Sequence, residues 1–194
     1  MRVVTFNVLD LFEPEEPSHR EIIERKLAHL GAQLAEADAD VIALQEVGSE
    51  ALLRRLIAER LEGRGYDHVS LGAPDHRGIG LALISRLPVI SARAIARSSI
   101  GFPRLAIQDP EPFAGGIPLR RGLLHVRVDA DALGHVDVIT LHFKSKLGAP
   151  MKDERGERIL DDSAKGKAEA ALRSFVLRSA EALFLRETID ELLE

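Results

Sequence analysis

The pattern of apolar and polar positions in the first third of the chain predicts a strand, a helix and a second strand. Residues 2–8 are rich in β-branched and aromatic side chains, which is typical of a strand. Ser18 and Glu21 have the spacing of a capping box and predict a helix start. Apolar residues then repeat at helical spacing, namely Ile23, Leu27, Leu30 and Leu34. The apolar run at 41–44 predicts a strand buried on both faces, which completes a βαβ unit.

Beyond this unit the pattern predicts a second helix, five strands and a long C-terminal helix. The second helix starts at Ser49, where leucines and an isoleucine begin to recur on one side. Runs bounded by glycine and proline predict strands at 66–71, 79–86, 89–97, 123–129 and 136–143. Residues 98–118 and 148–163 have the composition of loops, and 163–193 has that of a helix.

Length and composition predict one globular domain over 1–194. A chain of 194 residues that is 45% hydrophobic can bury roughly 70% of its unfolded surface around one core. The absence of Cys excludes disulfides, thiolate metal sites and a Cys nucleophile. A net charge of -5 gives no global attraction for nucleic acid, so a phosphate-bearing partner must bind at a local site. The sequence shows no signal peptide and no membrane span, and we expect a cytoplasmic protein.

Two polar residues stand at the ends of the two strands of the predicted βαβ unit, Asn7 and Glu46. A right-handed crossover makes these strands parallel, so both residues should lie at one edge of the sheet, where ligands often bind. An amide and a carboxylate oxygen suit a hard cation such as Mg²⁺. Capping and solvation of the strand ends would explain the same two residues without any ligand.

The last predicted strand carries a second group of candidates. Strand alternation places His142 on one face, followed on that face by Lys144 and Lys146. A histidine can transfer protons near neutral pH, and two ammonium groups beyond it could bind a phosphate. The alternative is a core histidine bonded to backbone groups, with two lysines solvated at the end of a strand.

Four stretches of the sequence resemble a known family in their order and spacing. They are Val4-Thr5-Phe6-Asn7, the strand 41–46 ending in Gln45-Glu46, the segment 75–86, and His142-Phe143-Lys144-Ser145-Lys146. They are similar to the endonuclease/exonuclease/phosphatase family, the DNase I-like superfamily of metal-dependent phosphoesterases, over residues 2–193. The resemblance implies a DNase I-like four-layer α/β sandwich. It also implies a hydrolase that uses Mg²⁺ or Mn²⁺, with a nuclease as the first expectation.

The resemblance implies roles for individual residues. Glu46 resembles the carboxylate that binds the divalent metal, and Asn7 resembles the asparagine beside it in the metal and phosphate shell. His142 resembles the strand-end histidine that lies over the scissile phosphate and assists proton transfer or charge stabilisation. Arg77 and Arg121 stand where a contact with substrate phosphate is expected, although a solvated or structural arginine would fit these positions equally well.

One departure from the family pattern changes this expectation. Family members carry an Asp-x-Asn strand and a C-terminal Ser-Asp-His motif, but Asn7 is the sole asparagine of this sequence. The fold is therefore expected to be incomplete, with the first α/β layer, connecting strands and a C-terminal helix. We expect weak or no activity from these 194 residues alone. The alternatives are a non-catalytic fragment that acts as an assembly or binding module, and a phosphatase or phosphodiesterase of small-molecule or lipid esters.

The same departure predicts a partner surface. The run at 80–84 is apolar at consecutive positions and requires cover on both faces. Without the family's second sheet, an apolar face of roughly several hundred Å² would be exposed. We therefore expect a second copy of the chain or a separate C-terminal half to cover this face, in addition to nucleic acid or another phosphodiester as substrate.

Overall fold

The computed structural model describes residues 1–14, 16–104, 106–108 and 116–194. In these ranges the strands are β1 (Val3–Leu11), β2 (Val41–Val47), β3 (His68–Leu71), β4 (Gly80–Ser85), β5 (Val89–Ile95), β6 (Ser99–Ile100), β7 (Ile117–Pro118), β8 (Leu123–Asp129), β9 (His135–Thr140), β10 (Met151–Lys152) and β11 (Arg158–Ile159). The α-helices are α1 (Arg20–Ala37), α2 (Glu50–Arg60) and α3 (Ala164–Leu193). Part of the predicted loop at 98–118, residues 105 and 109–115, lies outside the described residues.

The chain divides into two compact units. The first unit consists of Met1–Ala96 and Arg121–His142, and the second consists of Arg97–Arg120 and Phe143–Glu194. All candidate residues of the predicted metal site belong to the first unit. The expectation of a single domain over 1–194 stays a prediction.

The first unit is built on a four-stranded sheet in the order β1-β2-β4-β3. Strands β1 and β2 are parallel and are joined through α1, with Asn7 opposite Gln45, and this confirms the predicted βαβ unit. Strand β4 runs antiparallel to both of its neighbours. Helices α1 and α2 cover one face of the sheet with buried leucines, which include Leu27, Leu34, Leu53 and Leu56.

A second sheet of the first unit covers the opposite face. It has the order β5-β8-β9, with antiparallel pairing throughout. Its buried side chains Leu124, Val126 and Val128 form one apolar cluster with Leu81 and Leu83 of β4. Every residue of β4 is buried. The expectation of an uncovered apolar face on this strand is therefore wrong, because the chain's own second sheet supplies the cover. Neither a second copy nor a separate C-terminal half is needed there.

The predicted capping box is also wrong. Pro17 begins a single 3-10 turn that includes Ser18, so Ser18 lies within this turn and its hydroxyl donates to the Glu16 carboxylate at 3.2 Å. His19 then precedes α1 without a side-chain cap. At α2, by contrast, the predicted helix start at Ser49 is confirmed, and the Ser49 hydroxyl accepts the Leu52 N–H at 3.1 Å.

The last predicted strand of the first unit is shorter than expected. Strand β9 ends at Thr140, so strand alternation does not extend to the residues that follow. The predicted common face of His142, Lys144 and Lys146 is therefore wrong. The Lys144 ammonium donates instead to the carbonyl oxygen of Leu147 at 2.9 Å, within the loop that contains both residues.

Helix α3 is the largest element of the second unit. It confirms the helix predicted over 163–193, and Ser163 caps it by accepting the Gly166 N–H at 3.0 Å. Both segments expected to be loops contain short antiparallel ladders, β6 with β7 and β10 with β11. In the described part of the chain no helix combines the length and apolar character needed to cross a membrane.

The sandwich of two sheets predicts a large effect of truncating Leu83, which is fully buried. Leu83→Ala leaves a cavity that two paired sheets can close only in part, so the free energy of unfolding should fall by about 2–5 kcal/mol. Leu133 lies in a 3-10 turn of the same unit and is 65% exposed. Leu133→Ala should therefore change the free energy by less than about 0.5 kcal/mol. Urea unfolding followed by circular dichroism measures both changes, and equal effects would contradict the buried position of β4.

Candidate active site

The candidate site lies at the carboxyl ends of β1 and β2, where the strand pairing has two irregularities. The register of β1 against β2 shifts between Asn7 and Leu11, and that of β2 against β4 shifts between Gln45 and Val47. Glu46 occupies the second shift with a φ of 66°, a left-handed conformation that is uncommon outside glycine. Such bulges redirect a side chain. Glu46 is the one residue of β2 that is partly exposed, whereas the other six are buried.

The Glu46 carboxylate is held through both of its oxygens. Asn7 Nδ2 donates to Oε1 at 2.9 Å, and the Asp10 N–H donates to Oε2 at 3.1 Å. The Asn7 side chain is fixed in turn, because its Oδ1 accepts the Leu9 N–H at 2.8 Å. The predicted meeting of Asn7 and Glu46 at one edge of the sheet is thus confirmed.

The neighbours of Glu46 keep its carboxylate ionised. Burial raises the pKa of this carboxyl, but the Asn7 hydrogen bond, the charge that His142 carries when protonated, the Asp10 N–H and the charge of Arg121 lower it by more. The net pKa lies below the usual value of 4.5. The side chain is 16% exposed. A carboxylate anion with access to solvent is therefore present at the sheet edge at neutral pH.

His142 lies beside Glu46, just beyond the end of β9. Its Nε2 is 3.5 Å from Glu46 Oε1. Burial lowers the pKa of the imidazole, Arg121 and Arg77 lower it further, and Glu46 and Asp75 raise it by less. The net pKa falls below 6.5, so the ring is neutral at pH 7. Its Nδ1 is buried, and no described group forms a hydrogen bond with it.

A buried carboxylate, Asp75, connects the two arginines of the site. Its side chain is 2% exposed and accepts the N–H groups of Arg77 and Ile79 at 2.9 and 3.1 Å. It also accepts Arg77 Nη2 at 3.3 Å and Arg121 Nε at 3.4 Å. Arg121 Nη1 donates to the carbonyl oxygen of His142 at 3.1 Å. The predicted phosphate-contacting arginines and His142 are therefore brought together around Asp75.

Gln45, the residue before Glu46, links the two sheets of the first unit. It is 9% exposed, and its Nε2 donates to Thr5 Oγ1 at 3.0 Å and to Thr140 Oγ1 at 3.2 Å. Thr5 lies on β1 and Thr140 at the end of β9. Gln45 thus connects the strand of Asn7 to the strand that leads to His142.

Sequence reasoning missed two residues of this site, Asp75 and Lys26. Asp75 is followed three positions later by Gly78, which has a φ of 79° and donates its N–H to the Asp75 carbonyl at 2.9 Å. An Asp and a Gly at this spacing are a turn signal that could have been found. Lys26 interrupts the apolar stripe of α1 between Ile23 and Leu30, and a charge in such a stripe is also a signal.

Lys144 and Lys146 belong to the second unit. Their expected contact with substrate phosphate stays a prediction. The Lys144 ammonium already has oxygen partners in its own loop, the Ser145 hydroxyl at 3.1 Å among them.

The donor set fits a divalent cation that keeps most of its water. Glu46 accepts one hydrogen bond on each oxygen, and an ionised carboxylate has about four lone-pair positions, so positions remain for a hard cation. Mg²⁺ typically uses one or two carboxylates and completes its shell with water and phosphate. Within the described ranges no group of three or more His, Asp or Glu side chains could hold an ion. The described residues therefore fit an ion that takes one carboxylate from them and completes its shell with water and phosphate.

The chain belongs to the endonuclease/exonuclease/phosphatase family, whose model matches residues 4–170. The family name covers enzymes that cleave phosphate esters, so the chain is related to phosphoesterases. This confirms the resemblance seen in the four sequence stretches. No curated protein sequence gives a significant match.

Three solved structures are similar to this chain. An endonuclease/exonuclease/phosphatase from Beutenbergia cavernae is 27% identical, with 77% of this chain and 38% of that chain covered and a TM-score of 0.47. The beta toxin of Staphylococcus aureus, as a β-hairpin deletion mutant, is 16% identical, with 80% and 53% covered and a TM-score of 0.50. SmcL is 17% identical, with 98% and 57% covered and a TM-score of 0.51.

The chain thus spans between 38% and 57% of the length of these three structures. The likeness to the beta toxin and to SmcL, together with the family match, shows that the fold is the DNase I-like α/β fold expected from the sequence. In the first unit the helices, the first sheet and the second sheet form three successive layers of that architecture.

The charges around His142 predict opposite effects of two substitutions on its pKa. Arg121→Gln removes a cation that lowers the pKa of His142 and should raise it, whereas Glu46→Gln removes an anion that raises the pKa and should lower it. Arg93→Gln removes an exposed arginine of β5 and should leave the pKa unchanged. NMR titration of the imidazole nitrogens between about pH 4 and pH 8 measures all three values. Shifts of the same sign for Arg121→Gln and Glu46→Gln would contradict the arrangement.

Proposed function

We propose that the site hydrolyses phosphodiester bonds with the help of a divalent metal ion, Mg²⁺ or Mn²⁺. The observation that supports this proposal most directly is the ionised Glu46 carboxylate, held at the sheet edge by Asn7 and flanked by a neutral His142. An anionic oxygen ligand and a neutral proton acceptor side by side are the groups that metal-assisted attack of water on a phosphate requires.

Each residue of the site has its own role in the proposed reaction. Glu46 would hold the ion, and Asn7 orients the Glu46 carboxylate through its Nδ2. When bound, a divalent ion would withdraw charge from the phosphate and lower the pKa of the attacking water. His142 is neutral at pH 7 and can take up or return a proton at one of its ring nitrogens.

Two guanidinium groups are available to bind the phosphate. Arg77 is 52% exposed, although one of its nitrogens contacts Asp75. Arg121 uses Nε and Nη1 in its contacts with Asp75 and His142, and its Nη2 donates to no described group. Since guanidinium groups bind phosphate oxygens through charge-assisted hydrogen bonds, we propose that both arginines bind the substrate phosphate.

The proposed substrate is a polynucleotide first, and a small phosphodiester or a phospholipid headgroup second. The family name includes endonucleases and exonucleases, which supports the first choice. The net charge of -5 gives no long-range attraction for a polynucleotide. Binding would therefore depend on contacts at the site, and the two arginines provide enough positive charge for one phosphate group.

A second candidate function is binding of a phosphate ester without turnover. The single asparagine of the sequence favours it, because the family's Asp-x-Asn motif has no counterpart in these 194 residues. Groups that position the nucleophile and stabilise the transition state act as a unit, so the loss of some of them removes most of the rate. Binding through Glu46 and the arginines would persist.

Cleavage of plasmid DNA and of bis(p-nitrophenyl) phosphate, with Mg²⁺, Mn²⁺ or EDTA, tests the proposal. Glu46→Gln and His142→Ala should each reduce metal-dependent cleavage by at least about 100-fold, because one removes the metal ligand and the other a proton-transfer group. Glu62→Gln and His29→Ala change exposed residues of the same types and should leave the rate unchanged.

Calorimetric titration with p-nitrophenyl phosphate in the presence of Mn²⁺ separates the two candidate functions. Binding that Glu46→Gln weakens, without cleavage by the native chain, would favour the non-catalytic function. Cleavage that persists in both Glu46→Gln and His142→Ala would reject the assignment of the site.

A further inference from the structure

We infer that Lys26 is a positioning residue of the candidate site, which acts by fixing the conformation of Leu9 and Asp10. Its significance for catalysis rests on the proposed function, but its structural effect does not. The side chain of Lys26 extends from α1 to the end of β1, and its ammonium donates to the carbonyl oxygen of Leu9 and, at 3.0 Å, to that of Asp10.

The two residues that Lys26 contacts have an unfavourable backbone conformation. Leu9 and Asp10 have φ values of 52° and 53°, so both are in the left-handed region. Two successive residues with side chains rarely adopt this conformation, because the Cβ atom approaches the following carbonyl oxygen. Such a pair persists only where surrounding contacts hold it. Lys26 provides a contact of this kind to each residue of the pair.

The N–H groups and the carbonyl oxygens of Leu9 and Asp10 form hydrogen bonds with different side chains. The Leu9 N–H donates to Asn7 Oδ1 at 2.8 Å, and the Asp10 N–H donates to Glu46 Oε2 at 3.1 Å. The two carbonyl oxygens of the same residues accept from the Lys26 ammonium. Lys26 is therefore the side chain that contacts both residues of the segment whose N–H groups orient Asn7 and Glu46, and the Phe12 N–H adds a backbone hydrogen bond to the Asp10 carbonyl oxygen at 3.0 Å.

The surroundings of Lys26 differ from those of a solvated surface lysine. Burial lowers the pKa of its ammonium, while the charges of Asp10 and Glu46 raise it, and the net pKa lies below the usual 10.5. An ammonium has three donors. Two of them are used on the carbonyl oxygens, which favours a positioning role over the binding of substrate.

The experiment compares Lys26→Met, which removes the donors, with Lys26→Arg, which keeps a cationic donor. Hydrogen exchange of the Asp10 amide, measured by NMR without metal, should be at least about tenfold faster in Lys26→Met, because the hydrogen bond to Glu46 is weakened. Mn²⁺ affinity, measured by electron paramagnetic resonance, should fall by about 10- to 100-fold, the usual effect of losing a group that orients a metal ligand. Lys26→Arg should restore a large part of the protection of the Asp10 amide and of the Mn²⁺ affinity.

Arg25→Met is the matched control. Arg25 is the preceding residue of α1 and its side chain is 72% exposed. The substitution removes one positive charge from the same helix and should change neither readout. If Lys26→Met does not fold, Lys26→Gln takes its place, since its side chain is shorter and uncharged and should also accelerate the exchange of the Asp10 amide.

The two readouts separate this inference from the proposed function. Unchanged exchange of the Asp10 amide in a folded Lys26→Met or Lys26→Gln protein overturns the positioning role. Native protein that binds Mn²⁺ no better than Glu46→Gln overturns the proposed metal site instead. In that case the exchange measurement still decides whether Lys26 holds the Leu9 and Asp10 segment.

Discussion

The candidate site depends on one constraint, the need to place a carboxylate near the end of a strand whose other residues are all buried. Strand β2 lies between two apolar clusters, with Ile42 and Leu44 in the cluster beneath the helices and Val41 in the cluster between the sheets. A charge within such a strand would lose its hydration. The bulge at Glu46 avoids this loss, because its left-handed conformation turns the carboxylate to the sheet edge, where Asn7 meets it.

Placing the Glu46 carboxylate at the sheet edge requires backbone conformations that are unfavourable by themselves. Leu9, Asp10 and Glu46 all have positive φ values, and each such residue costs about 1–2 kcal/mol relative to a right-handed one. Hydrogen bonds to charged groups are the stronger ones in proteins, and here they act on all three residues. The Glu46 carboxylate accepts from Asn7 and Asp10, and the Lys26 ammonium donates to Leu9 and Asp10. The site and the support of its backbone are therefore one network.

The sequence predicted the parts of this network that follow from strand pairing. Asn7 and Glu46 could be placed together because a βαβ unit fixes the relative direction of its strands. The bulges could not be predicted, since their residues are not glycines and carry no composition signal. Asp75 and Lys26 were missed for a related reason: their partners are backbone groups whose directions depend on a turn and on a bulge. The cover of β4 was misjudged because the sequence does not reveal that β8 packs across from it.

Asp75 affects the protonation of His142 in two ways, through its own charge and through the arginine that it contacts. Burial raises the pKa of this carboxyl, but the Arg77 and Ile79 N–H groups and the two arginines lower it by more, so Asp75 is ionised. Its negative charge alone would favour a protonated His142. Asp75 also holds Arg121, which donates to the His142 carbonyl oxygen, and the effect of this guanidinium on the imidazole is the larger one. Burial is the largest cause of the lowered pKa of His142, and Asp75 adds to it indirectly, by holding a cation whose influence on the imidazole exceeds its own.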